Sequence, residues 1–394
     1  MRKDIASNFY SYLEYLLKNS TLEKPLWNKE VLIGLKKSGW TYIDGCMMVG
    51  LTTLYLQTRD EKLFEYIKNY IDPIVPEDGK IKILYYNNYN EYTTTGRDSD
   101  PCNEAKVLFL LYHKTKEEKY LKAIHYMHNQ VKNLPRVEGN FWHKDKYPNQ
   151  IWLDGLYMIQ PFYAQWEKEF NHGESFNDIV FQLENCFNLT WEESRQLMVH
   201  GYDGNYRDSN KRMIWANPFN GHSKIVWLRA CGWYEMALID CYEIIEDSVL
   251  RERIANLIQK TIDGLLMYLD SERKMFWQVV DEPKKKGNYL ETSGTLMIAY
   301  TILKAVRFGV LSNKYKEIGE EIFYGTCDTY FKKNEDGILS LGGICIGAGL
   351  TSSRTDAYAG TYEMYIERKI VSDDGKAIGP FLMAFAELSK FNNN

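Results

Sequence analysis

The chain has 394 residues, of which 45% are hydrophobic and 26% charged, the proportions of an ordinary folded globular protein. Its net charge of −5 provides no basic excess for a phosphate backbone, so the composition argues against a nucleic-acid partner. Aromatic residues make up 14% of the chain, which is typical of a concave sugar-binding surface, although core packing explains the same excess.

The N-terminal segment predicts neither a signal peptide nor a membrane span. Residues 1–20 contain Asp4 and Glu14 and lack the apolar run of a signal peptide. No later apolar stretch reaches the length that spans a bilayer, so we expect no membrane partner. Seven scattered cysteines form no CxxC pair, which is typical of thiols in a reducing compartment. We therefore expect a cytoplasmic protein, either a monomer or a homodimer.

Helical periodicity dominates the chain. Apolar residues three and four positions apart predict roughly a dozen helices and few strands. The predicted segments are, in chain order, 5–18, 42–56, 61–71, 103–115, 117–133, 154–170, 175–188, 191–198, 232–247, 249–270, 290–309, 313–331 and 376–390. The pattern therefore indicates an all-α protein.

The connections between these helices alternate between short and long. The long ones, such as EGNFWHKDKYPNQIW, are rich in aromatic and polar residues and are the expected functional surface. No Pro/Gly/Ser-rich linker or change of composition divides the chain. We therefore predict a single domain over residues 1–394 with the architecture of an (α/α)6 barrel. A two-domain helical protein is the competing interpretation.

Asp154 is the first candidate for catalysis. It is the single acidic residue of YPNQIWLDGLYMIQPFYAQW, where a carboxylate is costly to bury. Asp is a favoured helix N-cap, and a helix starting at Gly155 would make Asp154 a cap. The apolar residues around Asp154, Trp152 among them, form an apolar collar. This collar favours a general acid instead, because desolvation raises the pKa of a carboxyl group towards neutrality.

Asp100 and His200 are further candidates. Asp100 precedes a predicted helix with Pro101 at its first position, so it is either a cap or the second carboxylate of a glycosidase-like pair. Asp98 competes with it for either role. His200 either caps the end of a predicted helix or positions a water molecule or a sugar hydroxyl.

Two pairs of residues offer a positive charge to an anionic sugar. Arg229 and Trp233 offer a guanidinium for a carboxylate and an indole for a sugar ring. The alternative is an arginine paired with a neighbouring acid and a tryptophan in the core. His143 and Lys144, in the loop before Asp154, form the second pair, although such pairs are common on protein surfaces.

No motif indicates a metal or a cofactor. His125 and His128 lie three apart on a predicted helix, but no carboxylate or cysteine nearby completes a ligand set, so we interpret them as an exposed face. The stretch GGICIGAGL fits neither dinucleotide-binding nor phosphate-binding loops. GxSxG and HExxH motifs do not occur in the sequence. We therefore expect neither a metal ion nor a cofactor.

Four stretches, in order along the chain, carry a family pattern. They are PRVEGNFWHKDKYPNQIWLDGLYMIQPFYAQW, HGYD…IWANP…VWLRACGWYEMALID, YLETSGTLMIAYTILKAVRFGVL and YEMYIERKIVSDDGKAIGPFLMAFAEL. Over nearly its whole length the chain resembles the unsaturated rhamnogalacturonyl hydrolases of glycoside hydrolase family 105. It is more distantly similar to the unsaturated glucuronyl hydrolases of family 88. The resemblance implies an (α/α)6 barrel, in agreement with the helix pattern.

The resemblance also implies a substrate and a set of roles. The family acts on oligosaccharides that pectin lyases leave with a 4,5-unsaturated uronic acid at the non-reducing end, such as unsaturated galacturonyl-rhamnose. It hydrates the C4=C5 vinyl ether, and the hemiketal so formed opens and releases the next sugar. Asp154 matches the catalytic acid/base, Asp100 the second essential carboxylate and His200 the active-site histidine. The positions that match the family's cleft are Tyr42, His143, Lys144, Trp152, Arg229 and Trp233.

Some positions depart from the family pattern. Leu228, Ala230 and Cys231 stand where the best-known members have small residues around the arginine, which leaves the identity of the leaving sugar open. Two other functions also stay open. One is an inverting glycosidase or a sugar epimerase that acts on saturated sugars, and the other is a non-catalytic oligosaccharide-binding protein.

Overall fold

The computed structural model describes residues 2–86, 92–93 and 96–391. The helices are α1 (Lys3–Lys18), α2 (Lys29–Leu32), α3 (Tyr42–Thr58), α4 (Glu61–Ile71), α5 (Pro101–Thr115), α6 (Glu118–Lys132), α7 (Leu153–Phe170), α8 (Phe176–Thr190), α9 (Leu228–Ile244), α10 (Ser248–Leu266), α11 (Thr292–Arg307), α12 (Lys314–Tyr330), α13 (Tyr362–Ile366) and α14 (Gly375–Lys390). A 3-10 turn, Asp72–Ile74, follows α4.

Short strands lie in the connections between the helices and pair two by two, always antiparallel. They are β1 (Tyr85–Tyr86), β2 (Tyr92–Thr93), β3 (Arg136–Val137), β4 (Asn140–Phe141), β5 (Gln150–Trp152), β6 (Trp191–Glu192), β7 (Leu197–Met198), β8 (Gly201–Asp203), β9 (Phe331–Lys333), β10 (Leu339–Leu341), β11 (Ile344–Cys345) and β12 (Ile370–Val371).

Six helices form a closed inner ring. Helices α3, α5, α7, α9, α11 and α14 each pack against the next in this order, and α14 packs against α3 to close the ring. In α11 every residue from Thr292 to Val306 is buried, as expected for a helix with neighbours on all sides. None of the described helices combines the length and the apolar composition needed to cross a bilayer.

The outer layer consists of the other long helices. Helices α4, α6, α8, α10 and α12 each pack against the inner helix that precedes them in the chain. Helix α1 packs on α14, where the rings of Phe9 and Phe385 stack with their centroids 3.6 Å apart. The fold is therefore an (α/α)6 barrel, which confirms the sequence-based prediction.

The lengths of the connections place all the inner helix starts at one end of the barrel. Short connections, such as residues 116–117, join the inner helices α3, α5, α7, α9 and α11 to the outer helices that follow them. Long connections, such as residues 133–152 and 191–227, lead from an outer helix to the next inner helix. The long loops and the N-termini of the inner helices therefore gather at the same end.

The segment 191–198, predicted as a helix, forms a β-hairpin instead. Strand β6 pairs antiparallel with β7, and Gln196 adopts a φ of 54° in the turn. The apolar residues Trp191, Leu197 and Met198 fit a helix face and a hairpin equally well. Eight residues are too few for periodicity to decide between the two.

Glycines allow α3 and α14 to approach each other closely. A Cβ atom on Gly50 would lie 2.9 Å from both the Cα and the carbonyl oxygen of Gly379. The backbone of a buried helix cannot move aside as a flexible side chain does, because the interior is close-packed. The closure of the inner ring therefore depends on a residue without a side chain at position 50.

Replacing Gly50 by alanine is expected to destabilise the protein. Alanine gains about 1 kcal/mol of helix propensity over glycine, but the overlap with the α14 backbone outweighs this gain. We expect a net loss of about 1–3 kcal/mol in the free energy of unfolding, measured by denaturant titration. The control is Leu56→Ala, at a half-exposed position of the same helix, with a change below about 1 kcal/mol. Unchanged stability of Gly50→Ala would contradict the close approach.

Candidate active site

The starts of α5 and α7 place the two candidate carboxylates. Helix α7 begins at Leu153, so Asp154 lies in its first turn and Trp152 occupies the N-cap position. The capping interpretation of Asp154 is therefore wrong. Asp100 does occupy the N-cap position of α5, but its side chain makes no capping hydrogen bond. Both carboxylates are available for other contacts.

Strand pairing brings His200 to Asp154. Strands β5 and β8 pair so that Trp152 lies opposite Gly201. The backbone N–H of Leu153 donates to the carbonyl oxygen of His200 at 3.2 Å. A residue far along the chain is thereby fixed beside the first turn of α7. Since residues 191–198 form a hairpin, His200 follows no helix, and its interpretation as a helix cap is wrong.

Asp154 and His200 form a pair at the inner wall of the site. Asp154 Oδ2 lies 3.2 Å from His200 Nε2. The other ring nitrogen, Nδ1, lies 2.6 Å from the hydroxyl oxygen of Tyr365. The His200 side chain has no solvent exposure, whereas the Asp154 side chain retains 14%. The carboxylate is thus open to a ligand while the imidazole supports it from the interior.

Opposing effects set the pKa of Asp154. Burial raises it, because a charged carboxylate is disfavoured away from water, whereas the contact with His200 lowers it. The pKa of Asp154 therefore lies below the ordinary value of an aspartate. The sequence-based expectation of a raised pKa is wrong, because it took account of the apolar collar and not of the buried histidine.

Trp152 is the centre of an aromatic stack beside this pair. The centroid of its ring lies 4.4 Å from those of both His143 and Tyr147. It also meets the ring of His200 nearly edge-on, at 5.2 Å. The indole N–H donates to Gln150 Oε1 at 2.9 Å, which fixes the plane of the ring. The stack therefore forms a rigid apolar wall next to the carboxylate.

His143 is neutral in this site. Burial lowers the pKa of His143 well below its ordinary value, and the charge of Lys144 lowers it further. Its Nδ1 lies 3.1 Å from the hydroxyl of Ser99. The predicted cationic pair is therefore wrong for the histidine, and Lys144 carries the charge alone.

Asp100 and Asp98 share the ammonium of Lys144. Asp100 Oδ2 contacts the Lys144 ammonium directly, and Asp98 Oδ1 lies 3.4 Å from it. Asp98 Oδ1 also accepts a hydrogen bond from the backbone N–H of Asp100 at 2.9 Å. Burial raises the pKa of Asp98 to about 6, with Lys144 opposing the rise and Asp100 adding to it. The structure thus brings Asp98 into the same cluster.

A cleft of about 1270 Å³ opens over this cluster. Its lining includes Tyr42, Asp98, Asp100, Lys144, Tyr147 and Arg368. The volume exceeds that of a typical small-molecule pocket, roughly 300–1,000 Å³, and leaves room for more than one sugar. Asp154 and His200 lie outside the lining itself. They adjoin it through Trp152, which stacks on Tyr147.

Tyr42 begins α3 and lies in front of a buried ion cluster. The Lys376 ammonium lies 5.7 Å from the centroid of the Tyr42 ring. The same ammonium is 3.1 Å from Asp374 Oδ1 and 3.2 Å from Glu30 Oε1. The structure therefore places Tyr42 in the lining of the cleft, with its ring near these charged groups.

Arg229 and Trp233 lie in the core. The guanidinium of Arg229, 1% exposed, donates to Ser293 Oγ at 2.7 Å and to Glu291 Oε1 at 3.3 Å. It also contacts the carbonyl oxygen of Cys345. Trp233 is buried and stacks on Tyr157 at 5.1 Å. Both residues follow the second of the predicted alternatives, a paired arginine and a core tryptophan.

Tyr365 and Glu291 are the partners that sequence reasoning missed. Tyr365 lies within YEMYIERK, one of the stretches that carry the family resemblance, but no local spacing connects it to His200. Glu291 directly precedes α11 and accepts a hydrogen bond from the N–H of Gly294 at 2.9 Å, which is the signature of an N-cap. This capping pattern was the signal in the sequence that pointed to Glu291.

No metal site is apparent in the described part of the chain, which contains no suitably arranged group of three or more His, Cys, Asp or Glu side chains. His128 is buried and stacks on Trp166 with ring centroids 3.3 Å apart. The Nδ1 of His125 accepts a hydrogen bond from the Trp166 indole at 3.1 Å. The interpretation of the two histidines as an exposed face is therefore wrong, because they pack against α7.

Comparisons with known proteins identify the family of the chain. The sequence model of Glycosyl Hydrolase Family 88 matches residues 24–392. Protein Atu3128 of Agrobacterium fabrum is 32% identical over 234 residues, which cover 58% of this chain and 97% of that protein. The structure of a glycoside hydrolase from family 105 of C. acetobutylicum ATCC 824 superposes with a TM-score of 0.84 at 34% identity. That match covers 98% of this chain and 99% of the other.

A more distant structure shares the fold alone. The unsaturated glucuronyl hydrolase of Bacillus sp. GL1, described as responsible for the degradation of glycosaminoglycan, has a TM-score of 0.57 at 12% identity. The match covers 98% of this chain and 97% of that protein. With the family model covering almost the whole length, the chain belongs to the glycoside hydrolases of families 88 and 105.

Proposed function

We propose that this glycoside hydrolase removes a 4,5-unsaturated uronic acid, galacturonyl or glucuronyl, from the non-reducing end of lyase-generated pectin oligosaccharides such as unsaturated galacturonyl-rhamnose. The observation that carries the proposal is the pair of Asp154 and His200, with 3.2 Å between Oδ2 and Nε2. The substrate named for the Bacillus sp. GL1 enzyme, which has the same fold, supports the unsaturated uronic acid.

Asp154 serves as both the acid and the base of this reaction. In its protonated form it gives a proton to C4, and the electrons of the C4=C5 bond form the new C–H bond. Positive charge develops at C5 and the ring oxygen, and water attacks C5 while the ionised Asp154 takes its proton. The C5 hemiketal then opens to a ketone, and the hemiacetal left at C1 expels the next sugar. One water molecule is consumed, and Asp154 ends as it began.

His200 positions Asp154 and stabilises its charge. As the carboxyl group gives up its proton, its electrostatic attraction to the imidazole at 3.2 Å strengthens, because the carboxyl group becomes an anion. This stabilisation is greater in the transition state than in the ground state, and such a difference accelerates the chemical step. The hydroxyl of Tyr365 fixes the imidazole from the opposite side, at Nδ1.

Substrate binding causes Asp154 to become protonated, which is required for it to act as an acid. With its pKa below the ordinary value, Asp154 is ionised at neutral pH in the free enzyme. A uronate brings a negative charge and displaces water, and both effects raise the pKa of a neighbouring carboxyl group. Asp154 therefore takes up a proton when the substrate binds.

Lys144 is the cation for the uronate in this proposal. Its ammonium lies in the lining of the cleft, and Asp100 and Asp98 hold it in place. Asp100 also has an oxygen that can accept a hydrogen bond from a sugar hydroxyl. The aromatic wall around Trp152 and Tyr147 provides the apolar face on which a pyranose packs.

The purified protein is expected to bleach the ultraviolet absorbance of unsaturated galacturonyl-rhamnose. The absorbance comes from the vinyl ether conjugated to the carboxylate, so hydration of C4=C5 removes it. The matched control is the saturated disaccharide, which should be recovered intact. If the saturated sugar is cleaved and no unsaturated uronide loses absorbance, the protein is an ordinary glycosidase and the proposal fails.

Asp154→Asn is expected to reduce kcat by at least about 10²–10⁴, the usual contribution of a positioned acid or base. The amide keeps the shape of the side chain but cannot donate a proton to C4. The matched control is Asp145→Asn in the loop that carries Lys144, where the carboxylate pairs with Arg97 at 2.9 Å and activity should be retained. Near-normal turnover by Asp154→Asn would reject its role.

Replacing His200 by asparagine is expected to move the pH dependence of kcat/KM to higher pH. The imidazole is the largest of the influences that lower the pKa of Asp154, so without it burial dominates and that pKa rises. Only the protonated carboxyl group donates to C4, so kcat/KM falls as the pH rises through this pKa. The falling limb should therefore lie at higher pH than in the wild type, measured over a pH series.

Tyr365→Phe is the matched control for this shift. It removes the hydroxyl that lies 2.6 Å from Nδ1 but keeps the imidazole beside Asp154. The falling limb should then stay near its wild-type position. A limb that is unchanged or lies at lower pH in His200→Asn is incompatible with the assigned relation between the two residues.

A further inference from the structure

A second concave surface lies outside the catalytic cleft, on the loop between β8 and α9. This groove has a volume of about 720 Å³. We name it the Phe219 groove, and its lining includes Glu192, Arg195, Arg212, Phe219, Lys224 and Arg354. The roles proposed above for the catalytic cleft use none of these residues.

The loop that forms the groove is held in shape by internal contacts. Asp203 accepts hydrogen bonds from the backbone N–H groups of Met213 at 2.6 Å and Asn205 at 2.9 Å. At the other end of the loop, His222 Nδ1 lies 2.5 Å from Glu192 Oε1. The groove is therefore preformed, and a ligand would not have to order it.

The groove is basic, although the chain as a whole is acidic. Glu192 is the single carboxylate of the lining, and His222 already engages it. Arg195 pairs with Asp281 at 2.9 Å. Within the described residues, no carboxylate forms an ion pair with the other cations of the lining, which are Arg212, Lys224 and Arg354. Their charges are available to an anion.

Phe219 adds an exposed aromatic ring to this basic surface. Its side chain is 88% exposed, far more than any other large hydrophobic residue of the described chain. Pro218 and Asn217 flank it in the lining, and the Asn217 side chain accepts the backbone N–H of Phe219 at 2.9 Å. An aromatic face beside cations and an amide is the combination that suits an acidic sugar, since the ring packs on the pyranose and the cations meet its carboxylate.

The groove adjoins the catalytic site through a shared core. Met213 and Ala216 line the groove and pack in one small hydrophobic cluster with Trp215 and Trp152. Trp152 is the centre of the aromatic stack beside Asp154. The two surfaces are therefore on either side of the same aromatic cluster, at the end of the barrel where the long loops gather.

We infer that the Phe219 groove is a second binding site for acidic oligosaccharides, with Arg212 and Arg354 contacting uronate carboxylates and Phe219 packing on a sugar ring. The choice of an acidic sugar over other anions rests on the function proposed above. A second site for uronate-rich chains raises the local concentration of oligosaccharide ends at the catalytic cleft, as linked binding sites do.

The test is calorimetric titration of the whole protein with saturated trigalacturonate, which has no C4=C5 bond and is not turned over in the proposed reaction. The double variant Arg212→Gln/Arg354→Gln is expected to bind it about 20-fold more weakly than the wild type, from two lost surface charge contacts. Phe219→Ala is expected to weaken binding about fivefold through the lost ring contact.

Lys211→Gln is the matched control. Lys211 precedes Arg212 in sequence, is largely exposed and pairs with Asp208 at 3.5 Å, but does not line the groove. The Lys211→Gln variant loses one positive charge from the loop that carries Arg212 and should bind trigalacturonate within about twofold of the wild type. Equal binding by the wild type and the double variant, with all thermal unfolding midpoints unchanged, overturns the inference.

The failure of the groove and the failure of the proposed function are distinguishable. Turnover of the unsaturated disaccharide should be the same in the wild type and in the double variant, since the disaccharide occupies the catalytic cleft. Suppose that the wild type removes the absorbance of no unsaturated uronide but that the double variant still loses trigalacturonate binding. The inferred binding site is then supported, and the proposed function is wrong. If turnover is normal and the variants bind trigalacturonate as the wild type does, only the groove is wrong.

Discussion

The parallel orientation of the six inner helices is the constraint on which the site depends. Each of them starts at the end of the barrel where the long loops gather, so the positive ends of their dipoles meet there. A helix start is a favourable place for a carboxylate. Acidic side chains indeed occupy the N-cap position or the first turn of five of the six, and these are Asp44, Asp100, Asp154, Glu291 and Asp374.

The partners of these carboxylates distinguish Asp154, the proposed acid and base, from the other four. Asp374 and Glu291 are fully buried against Lys376 and Arg229, and Asp100 contacts Lys144, which are lasting cations. Asp44 is buried among neutral donors, including the indole of Trp27 and the hydroxyl of Tyr70. Asp154 is the one whose nearest partner is an imidazole, that of His200. In the proposed mechanism this imidazole positions the carboxyl group that gives and takes the proton.

The periodicity of the sequence was sufficient to predict the barrel. It was not sufficient to predict which residues contact each other in the site. The inner and outer helices were predictable because each is longer than two turns and carries its period in the sequence, and the loop lengths supplied the topology. The apolar collar of Asp154 was equally visible. The lowered pKa was not, because it depends on the contact with His200, which a strand pairing that joins Trp152 to Gly201 brings beside Asp154. Residues 191–198 were too few for their period to distinguish a hairpin from a helix.

The positive charge at one end of the barrel connects the low pKa of Asp154 to the binding of an anionic substrate. A positive end of the barrel attracts a uronate and, for the same reason, keeps a nearby carboxyl group ionised. With His200 as partner, Asp154 is ionised in the empty site, and the negative charge of a bound uronate favours its protonation. In the proposed mechanism, substrate binding is therefore coupled to proton uptake by Asp154, the group that donates the proton to C4.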